Sequence, residues 1–565
     1  MTPLERQLET LARAAAGFAG SPPAERARLA RETARSVAAA ADRWVEAAVA
    51  IKTEGAAAAV PAHASVVAEE TATGPLGTLR LLLTTARVWT DIAARGRPAL
   101  PRPPRVVHAQ AGPDGPASFV AVDVLPEPGL LDRATFQGHR AMVRCANPGG
   151  LAAFEESWRA EVAARPRSGG VAAVLGAGNV TSLAPGDAFS QIFDHGRAAF
   201  IKLHPLHAPL EPVYRDAFAP LIAADLLAFE SGGSEVAQGL CTAPAVTHVH
   251  LTGGRGAFDA VVWGSAGPRL PGAQPVLAKP ITCELGNVTP WIVVPGRYTP
   301  RQLRSQADLV AASIANNTSF NCIATKCVVT CRSWPQREEF LGLVSARLGS
   351  LPRRWAWYPG AGAVWQEATG QAPPADGTLA CTLVTGVAAD GDRRLLDREW
   401  FVPLAAEVPL EAADVEAFCS RAAAFVGSLP GSLAASVTIP VTLDDRDRRR
   451  ADLLVEHLRY GVVAVNTWSA LAYAVTSVPW GGYPGGTLGD PGSGIGHVHD
   501  PLLLPLVHNS ILEAPLAASL TPAWVPWHRS GMRLAGGLLA AYEAIAHGRS
   551  GLWPLAKMLP AVLSG

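Results

Sequence analysis

The sequence predicts an α/β protein built on two regions of parallel sheet. From residue 169 onward, short apolar runs of strand length alternate with helical stretches, as in GGVAAVLGAGN (169–179) and RAAFIKLHP (197–205). The same alternation resumes near residue 282. Strands that are apolar on both faces belong to parallel sheets covered by helices on both sides. The chain has 565 residues, 49% of them hydrophobic, which is enough for two such lobes.

The elements follow from the periodicity of the apolar residues. Strands are predicted at 169–179, 197–205, 246–254, 290–296, 327–331, 433–440 and 461–468, and helices at 211–230, 307–317 and 334–348. The strands of the first region end in Asn179, Lys202 and the Gly253–Gly254 pair. Ligands of open α/β sheets bind at the carboxyl ends of the strands, so this edge is the predicted cofactor site.

Other segments lie outside this alternation. Residues 1–52 read as Ala- and Arg-rich amphipathic helices, and 101–116 is a Pro/Gly break. The strands expected at 118–126 and 139–146 could pair outside the main sheets. The segment after 510 is rich in Pro and Trp and precedes one more amphipathic helix, at 532–548.

Charge and cysteine content exclude several classes of protein. Lys plus Arg and Asp plus Glu both number 48, which gives no electrostatic reason to bind nucleic acid. Eight cysteines without a CxxC pair indicate free thiols in a reducing cytosol rather than a disulfide scaffold or a zinc ribbon. His497 and His499 have HxH spacing but no third ligand, so no metal is predicted. Neither a secretory signal nor an integral membrane segment is expected.

Three short motifs are unremarkable when each is taken alone. GAGNVT (176–181) lacks the third glycine of a dinucleotide fingerprint and could be a plain turn. CELGN (283–287) could cap a helix or a turn. A lone cysteine such as Cys322, in NNTSFNCIATK (316–326), is most often a small buried hydrophobe.

The order of the motifs changes this interpretation. Asn179, a lysine on a strand, TGG, ELG, Cys322, REWFVP (398–403) and PWGGY (479–483) follow one another along the chain. This succession resembles the aldehyde dehydrogenase superfamily over roughly residues 170–500. The resemblance implies a Rossmann-type cofactor domain, an α/β catalytic domain and a β-hairpin oligomerisation element. The implied bounds are 1–116 and 149–281 for the cofactor domain (with an insertion near 149–168), 282–480 for the catalytic domain, 117–148 and 481–510 for the oligomerisation element, and 511–565 for a C-terminal extension.

The resemblance also assigns roles to residues. Cys322 matches the nucleophile, Glu284 the general base that activates water, and Asn179 the amide that stabilises the oxyanion. Six further residues match the cofactor site: Lys202 at the adenosine ribose, Thr252, Gly253 and Gly254 at the phosphates, and Glu399 and Phe401 at the nicotinamide ribose.

Some positions depart from the family pattern. Ser319 and Phe320 stand where Gly-Gln usually precedes the nucleophile. Pro205 replaces the glutamate that usually binds the adenosine ribose, so a 2′-phosphate meets less repulsion and NADP becomes more plausible. The second serine of the phosphate segment is Gly254, and Phe258 replaces a later glycine.

Aromatic residues suggest the substrate. Phe320, Trp468 and Trp480, with Tyr473 and Tyr483 nearby, are expected to form a funnel for an apolar or aromatic aldehyde. The hairpin is expected to add to a sheet of a neighbouring subunit and to make a homodimer or homotetramer. The extension could cap the substrate tunnel, pack on a partner or touch a membrane surface, and packing is the default.

The predicted function is the NAD- or NADP-dependent oxidation of an aldehyde to a carboxylic acid through a thioester on Cys322, in the cytoplasm. Two alternatives stay open at this point. A CoA-acylating dehydrogenase or an acyl-CoA reductase would use the same thioester, although such relatives often lack the base that Glu284 matches. A non-catalytic ligand-binding or scaffold protein is the third reading, because the cofactor turn is altered.

Overall fold

The structure, a computed structural model, describes residues 2–53, 63–108, 118–127, 130–147, 149–267, 272–518, 521–522 and 524–563. Part of the predicted Pro/Gly break, residues 109–116, lies outside the described residues.

Helices dominate both ends of the chain, and they alternate with strands between them. The helices are α1 (Pro3–Ala19), α2 (Pro23–Thr53), α3 (His63–Thr71), α4 (Gly77–Arg95), α5 (Leu130–Thr135), α6 (Leu151–Ala164), α7 (Leu183–Phe189), α8 (Glu211–Ala217), α9 (Ala219–Ala223), α10 (Ser234–Thr242), α11 (Arg255–Trp263), α12 (Pro300–Ala315), α13 (Arg337–Gly349), α14 (Ala361–Thr369), α15 (Val415–Val426), α16 (Asp445–His457), α17 (Ala470–Ala474), α18 (Gly531–Ala546) and α19 (Leu552–Leu563). Shorter helical turns lie at Ala72–Leu76, Arg165–Arg167, Ser190–Asp194, Pro205–Leu210 and Asn316–Ser319.

The strands are β1 (Arg105–His108), β2 (Ser118–Leu125), β3 (Arg140–Ala146), β4 (Val171–Leu175), β5 (Ala198–Leu203), β6 (Leu227–Ser231), β7 (Val246–Gly253), β8 (Ile281–Leu285), β9 (Pro290–Val293), β10 (Cys327–Cys331), β11 (Arg354–Trp355), β12 (Thr378–Leu379), β13 (Thr382–Val384), β14 (Leu404–Leu410), β15 (Ala434–Thr438), β16 (Val462–Val465), β17 (Gly494–Ile495) and β18 (Val507–Glu513).

The first predicted sheet is six-stranded, in the order β17-β8-β7-β4-β5-β6. Strands β4 to β8 pair in parallel, and only the short β17 runs antiparallel to β8. All five residues of β4 are buried, as the continuous apolar run predicts. The parallel pairing brings the ends of β4, β5 and β7 to one edge.

The second sheet is ten-stranded, in the order β1-β2-β3-β18-β16-β15-β9-β10-β14-β13. Strands β13, β14, β10, β9, β15, β16 and β18 are parallel, whereas β3, β2 and β1 continue the sheet in antiparallel fashion. Cys327 and Cys331 are buried on β10, which confirms that they pack in the core.

One predicted helix and one predicted strand pairing were wrong. The expected helix at 211–230 ends early: it breaks at Phe218 and is followed by β6, whose Leu227, Ala228 and Phe229 are buried. Strands β2 and β3 do not pair outside the main sheets. Because β3 pairs with β18 and β18 with β16, the hairpin extends the ten-stranded sheet of its own chain.

The segment 149–168 folds as α6 followed by a short helical turn. Its Phe154 and Trp158 are buried, and the Trp158 indole N–H donates to the Leu502 carbonyl at 2.9 Å. Arg165 binds Asp500 in an ion pair with a side-chain N···O distance of 2.5 Å. This segment therefore anchors the region that precedes β18.

Helix ends follow the capping rules. Thr2 and Glu5 form a capping box at α1, and Thr299 and Gln302 form another at α12, each with Pro at the first helical position. The box at α12 fixes the start of the helix that leads into Cys322. No helix in the part of the chain that the structure describes is long and apolar enough to cross a membrane.

Candidate active site

Cys322 and Glu284 meet although they are 38 residues apart in sequence. Glu284 is at the carboxyl end of β8, and Cys322 follows α12 and the turn after it. The Cys322 Sγ donates to Glu284 Oε1 at 3.2 Å. Glu284 is only 3% exposed, and its Oε2 has no hydrogen-bond partner among the described residues. A thiol in contact with a buried carboxylate is the arrangement that an activated nucleophile requires.

The surroundings of this pair favour its uncharged form. Burial raises the pKa of Glu284, and the negative charge of Asp187 raises it further. Burial also raises the pKa of the Cys322 thiol well above its usual range, helped by the nearby Glu284 and Glu399. The resting cysteine therefore carries its proton and needs a base to become a nucleophile.

The turn before Cys322 has an unusual backbone. Asn317, Thr318 and Ser319 all have positive φ, at 53°, 55° and 64°. Such a conformation costs of order 1 kcal/mol or more for each residue that is not glycine. In the family that the sequence resembles, Gly-Gln stands at the positions of Ser319 and Phe320. Here Ser319 has a positive φ although it is not a glycine.

Buried polar contacts hold this turn in place. The Asn317 amide donates to the carbonyl oxygens of Asn179 (3.0 Å) and Phe320 (2.8 Å). The Lys326 ammonium donates to the Ser319 hydroxyl at 2.7 Å. These bonds offset the backbone strain and fix the position of Cys322.

Lys52, on α2, is at the centre of this network. Its ammonium donates to Glu70 Oε1 (2.5 Å), Asn317 Oδ1 (2.7 Å) and the Asn179 carbonyl (3.2 Å). It also lies 4.6 Å from the centre of the Trp357 ring. The side chains of Lys52 and Glu70 are 4% and 1% exposed. Sequence reasoning missed both residues, because nothing local distinguishes Lys52 from other helical lysines.

Asn179 contacts the segment that precedes Cys322. It follows β4 by four residues, is 5% exposed and faces the same cavity as Cys322. Its amide nitrogen donates to the Phe320 carbonyl at 3.2 Å. An amide NH2 carries two N–H bonds, and this contact uses one of them.

Glu399 stands close to the Cys322–Glu284 pair. A Cβ added to Gly286 would lie 1.9 Å from Glu399 Oε2, so only a glycine allows the carboxyl to approach the backbone there. Burial raises the pKa of Glu399 to about 7, and burial lowers the pKa of Lys326 to about 7. Glu399 Oε1 is buried without a hydrogen-bond partner in the described part of the chain. This oxygen is suited to accept a hydrogen bond from a ribose hydroxyl.

The remaining predicted cofactor residues gather at the edge where β5 and β7 end. Lys202 is partly exposed on β5, and Gly254 caps α11. A Cβ on Gly254 would meet nothing within 4 Å, which leaves room for a ligand at the start of this helix. Gly253 ends β7. Thr252 differs from expectation, since its hydroxyl points inward and donates to Asp187 Oδ2 at 2.7 Å.

Phe401 belongs to a cluster of aromatic rings. Its centre lies 5.1 Å from that of Tyr358 and 5.9 Å from that of Phe320. Phe320 is fully buried in this cluster and does not line the large cavity. The prediction that Phe320 forms part of the substrate funnel was therefore wrong, because the turn at 317–319 directs its ring towards the aromatic cluster.

A cavity of about 1490 Å³ opens in front of Cys322, and its walls are mainly apolar. Asn179, Glu284, Trp468 and Trp480 line it, as does Tyr473. The Trp468 indole N–H donates to the Ile323 carbonyl at 2.8 Å, which ties this wall to the nucleophile loop. Tyr483 does not line the cavity; its hydroxyl is 2.9 Å from His508 Nε2.

The C-terminal extension closes the far side of the same cavity. Residues of α18, α19 and the preceding loop face it, among them Trp524, Leu534, Tyr542 and Leu555. The Tyr542 hydroxyl accepts a 2.6 Å hydrogen bond from Arg80 on α4. Of the three roles considered for the extension, covering the cavity is thus the one that the structure displays.

A buried polar group behind Glu284 was not foreseen from the sequence. The Asp187 carboxylate lies 3.4 Å from His250 Nε2 and 3.7 Å from His499 Nε2. The side chains of all three residues are 4% exposed or less. Because Asp187 raises the pKa of Glu284, this group acts electrostatically on the site. His499, half of the HxH pair, has its place here, and the described residues contain no cluster able to hold a metal ion.

Comparisons with known proteins agree with this architecture. No protein-family model and no curated protein sequence matches the chain. Solved structures do match. The aldehyde dehydrogenase KauB from Pseudomonas aeruginosa is similar with a TM-score of 0.58 and 16% identity, over 90% of this chain and 88% of that one.

Two other matches were solved with a nicotinamide dinucleotide. A variant of the P. syringae indole-3-acetaldehyde dehydrogenase AldA, in complex with NAD+ and IAA, has a TM-score of 0.56 at 17% identity, over 90% of this chain and 88% of that one. The glyceraldehyde-3-phosphate dehydrogenase GapN from Methanocaldococcus jannaschii, complexed with NADP, has a TM-score of 0.54 at 12% identity, over 90% and 94%. The chain has the fold of the aldehyde dehydrogenase superfamily.

Proposed function

We propose that this protein is an NAD(P)-dependent aldehyde dehydrogenase that converts an apolar aldehyde to a carboxylic acid. The observation that carries the proposal is the 3.2 Å contact between the Cys322 thiol and the buried Glu284, both lining one apolar cavity. Asn179 and Glu399 stand beside them. Four chemically suited residues from distant parts of the chain thus meet at one point.

The first half of the reaction forms a covalent adduct. Glu284 takes the proton of the Cys322 thiol, and the sulfur attacks the aldehyde carbon, so that a C–S bond forms and the carbonyl oxygen becomes an oxyanion. The second amide N–H of Asn179 and the backbone N–H of Cys322 are the proposed donors to that oxyanion. A well-placed donor of this kind contributes roughly 3–4 kcal/mol to the transition state.

A nicotinamide dinucleotide, when bound, supplies the acceptor for the hydride that leaves the tetrahedral carbon. The unpartnered Oε1 of Glu399 is the proposed acceptor of a hydrogen bond from a ribose hydroxyl. Lys202 is the proposed contact of the adenosine ribose region, and the open start of α11 is the proposed site of the phosphates. Gly253 and the Phe401 ring complete the proposed cofactor site. Pro205 brings no carboxylate to the adenosine ribose, so both NAD and NADP are compatible with it.

The second half releases the acid. Glu284 first passes the thiol proton to solvent and then takes a proton from water, whose oxygen attacks the thioester carbon. The C–S bond breaks, and the leaving sulfur takes the proton from Glu284 to return the thiol. The free Glu284 Oε2 is the atom available for that water.

The volume and lining of the cavity support a large apolar substrate. Pockets for small ligands usually measure about 300–1000 Å³, and this one measures about 1490 Å³. Trp468 and Trp480 on one side and the extension on the other suit a long alkyl chain or aromatic rings. The assembly as homodimer or homotetramer and the cytoplasmic location stay predictions.

A product analysis distinguishes the proposed function from its alternatives. With aldehyde, CoA and each cofactor supplied together, we expect carboxylic acid rather than acyl-CoA, and faster turnover of medium-chain and aromatic aldehydes than of small charged ones. In Glu284→Gln, turnover should fall about 10²- to 10⁴-fold. Acyl-CoA as the main product would favour the acyl-transfer alternative. Absence of NAD and NADP binding by calorimetry would favour the scaffold alternative.

The pH dependence of kcat/KM should report the raised pKa of Glu284. The base works only when ionised, so activity should fall with decreasing pH at higher values than for an exposed glutamate. Removing the Asp187 charge in Asp187→Asn lowers the pKa of Glu284, and the acidic limb should then move to lower pH. Asp194→Asn is the matched control, since Asp194 is equally buried but faces Asp500 and Arg165. An acidic limb that stays in place in Asp187→Asn would contradict the assignment.

A further inference from the structure

The outer surface of the C-terminal extension is unusually apolar. Among the described residues, ten large hydrophobic side chains are exposed, and five of them belong to α18, α19 and the turn between them. These five are Met532 (50% exposed), Ile545 (36%), Leu552 (52%), Trp553 (69%) and Leu559 (60%). A soluble surface tolerates single exposed hydrophobes, but a group of them marks an interaction site.

Helix α19 is apolar on both of its sides. Met558 and Ala561 are buried against Leu534 of α18. The exposed residues of α19 follow helical spacing and include one charge; they are Leu552, Trp553, Ala556, Lys557, Leu559 and Pro560. Leu552, Ala556 and Leu559 also line the cavity, whereas Trp553, Lys557 and Pro560 do not. An ordinary surface helix is polar on its outer face. The exposed face of α19 instead carries a single charge among apolar side chains.

The charge of the extension points to the nature of the partner. Residues 514–565 contain Arg529, Arg533, Arg549 and Lys557 but only one acid, Glu543, although the whole chain is neutral. The Lys557 ammonium lies 5.2 Å from the centre of the Trp553 ring. Tryptophan and lysine on one apolar helical face are typical of helices that lie at a membrane surface. A second copy of the chain would bring the same excess of positive charge against itself.

We propose that α18 and α19 dock on an anionic lipid surface, so that aldehydes dissolved in the membrane enter the cavity from that side. Met532, Leu552 and Leu559 are exposed and also line the cavity in front of Cys322, so the proposed docking face is continuous with that part of the cavity wall. The substrate class then becomes membrane-partitioned aldehydes with long apolar chains. This substrate class rests on the proposed function, whereas the docking itself does not.

Vesicle flotation of the full chain tests the docking without substrate or cofactor. We expect binding to vesicles of phosphatidylcholine with about one third phosphatidylglycerol, and weakening of that binding by salt. The double variant Trp553→Glu/Lys557→Glu should bind at least about tenfold more weakly, since each basic residue near an anionic surface contributes to the affinity. Neither residue lines the cavity. Val441→Glu is the control, because Val441 is 65% exposed but lies after β15.

Two further results decide between docking and its competitors. If the wild type does not bind vesicles, the proposal fails. It also fails if the double variant binds them as tightly as the wild type. The proposal is also overturned if the wild type binds no vesicles but self-associates with increasing concentration and the double variant does not. That result would assign the face to a second copy of the chain.

Activity is measured separately. A water-soluble short aldehyde should be oxidised equally by wild type and the double variant, whereas a long-chain alkanal carried in vesicles should be oxidised more slowly by the variant. If the wild type binds vesicles but oxidises no aldehyde, the proposed function is refuted and the docking proposal is not.

Discussion

Replacement of Cys322 by alanine should lower the oxidation of aldehydes by about 10⁴-fold or more, while the binding of cofactor is retained. The effect should be this large because, among the described residues, Cys322 is the cysteine whose sulfur hydrogen-bonds to Glu284 Oε1. Since the side chain is small and faces the cavity, its removal leaves the surrounding packing intact. Steady-state cofactor reduction and calorimetry with each cofactor measure the two quantities.

Cys241→Ala is the control for general effects of removing a thiol. Cys241 is partly exposed on α10, outside the cavity. Its variant should keep the activity of the wild type. Substantial activity in Cys322→Ala, beyond a trace of background, would rule out thioester chemistry at this position. Mass spectrometry of the wild type, quenched during turnover of aldehyde and cofactor, should show the acyl adduct on the peptide that contains Cys322.

The order of the sequence motifs predicted that Asn179, Glu284 and Cys322 act together, although each motif alone is unremarkable. The structure brings Cys322 and Glu284 into contact and places Asn179 on the same cavity. The parallel order of β4, β7 and β8 then brings Asn179 and Glu284 to one edge of the six-stranded sheet.

The direction of individual side chains could not be predicted from spacing. Phe320 lies two residues before Cys322, yet three successive residues with positive φ turn its ring away from the cavity. Thr252 lies next to the end of β7 at the predicted edge, but its hydroxyl donates to the buried Asp187. The local backbone sets the direction of the Phe320 ring, and a distant hydrogen-bond partner sets the direction of the Thr252 hydroxyl. A short sequence motif shows neither of them.

The supporting residues were hidden for a related reason. Lys52 contacts Glu70, Asn179 and Asn317, which lie 18, 127 and 265 residues further along the chain. A helical lysine is exposed in most proteins, so composition and periodicity assign it to the surface. Only the packing of α2 against the nucleophile turn shows that this lysine is internal.

Lys52→Met should therefore destabilise the protein by about 3–5 kcal/mol, because it leaves the buried Glu70 without its cation. The turn at Asn317–Ser319 loses a bond at the same time, so turnover should fall as well. The urea midpoint of unfolding measures the stability, and the product assay measures the activity. The double variant Lys52→Met/Glu70→Leu removes both charges and should recover much of the stability without recovering the position of Asn317. A double variant as unstable as Lys52→Met would show that packing, and not the unpaired charge, causes the loss. Full activity in Lys52→Met would mean that the strained turn holds Cys322 in place without this lysine.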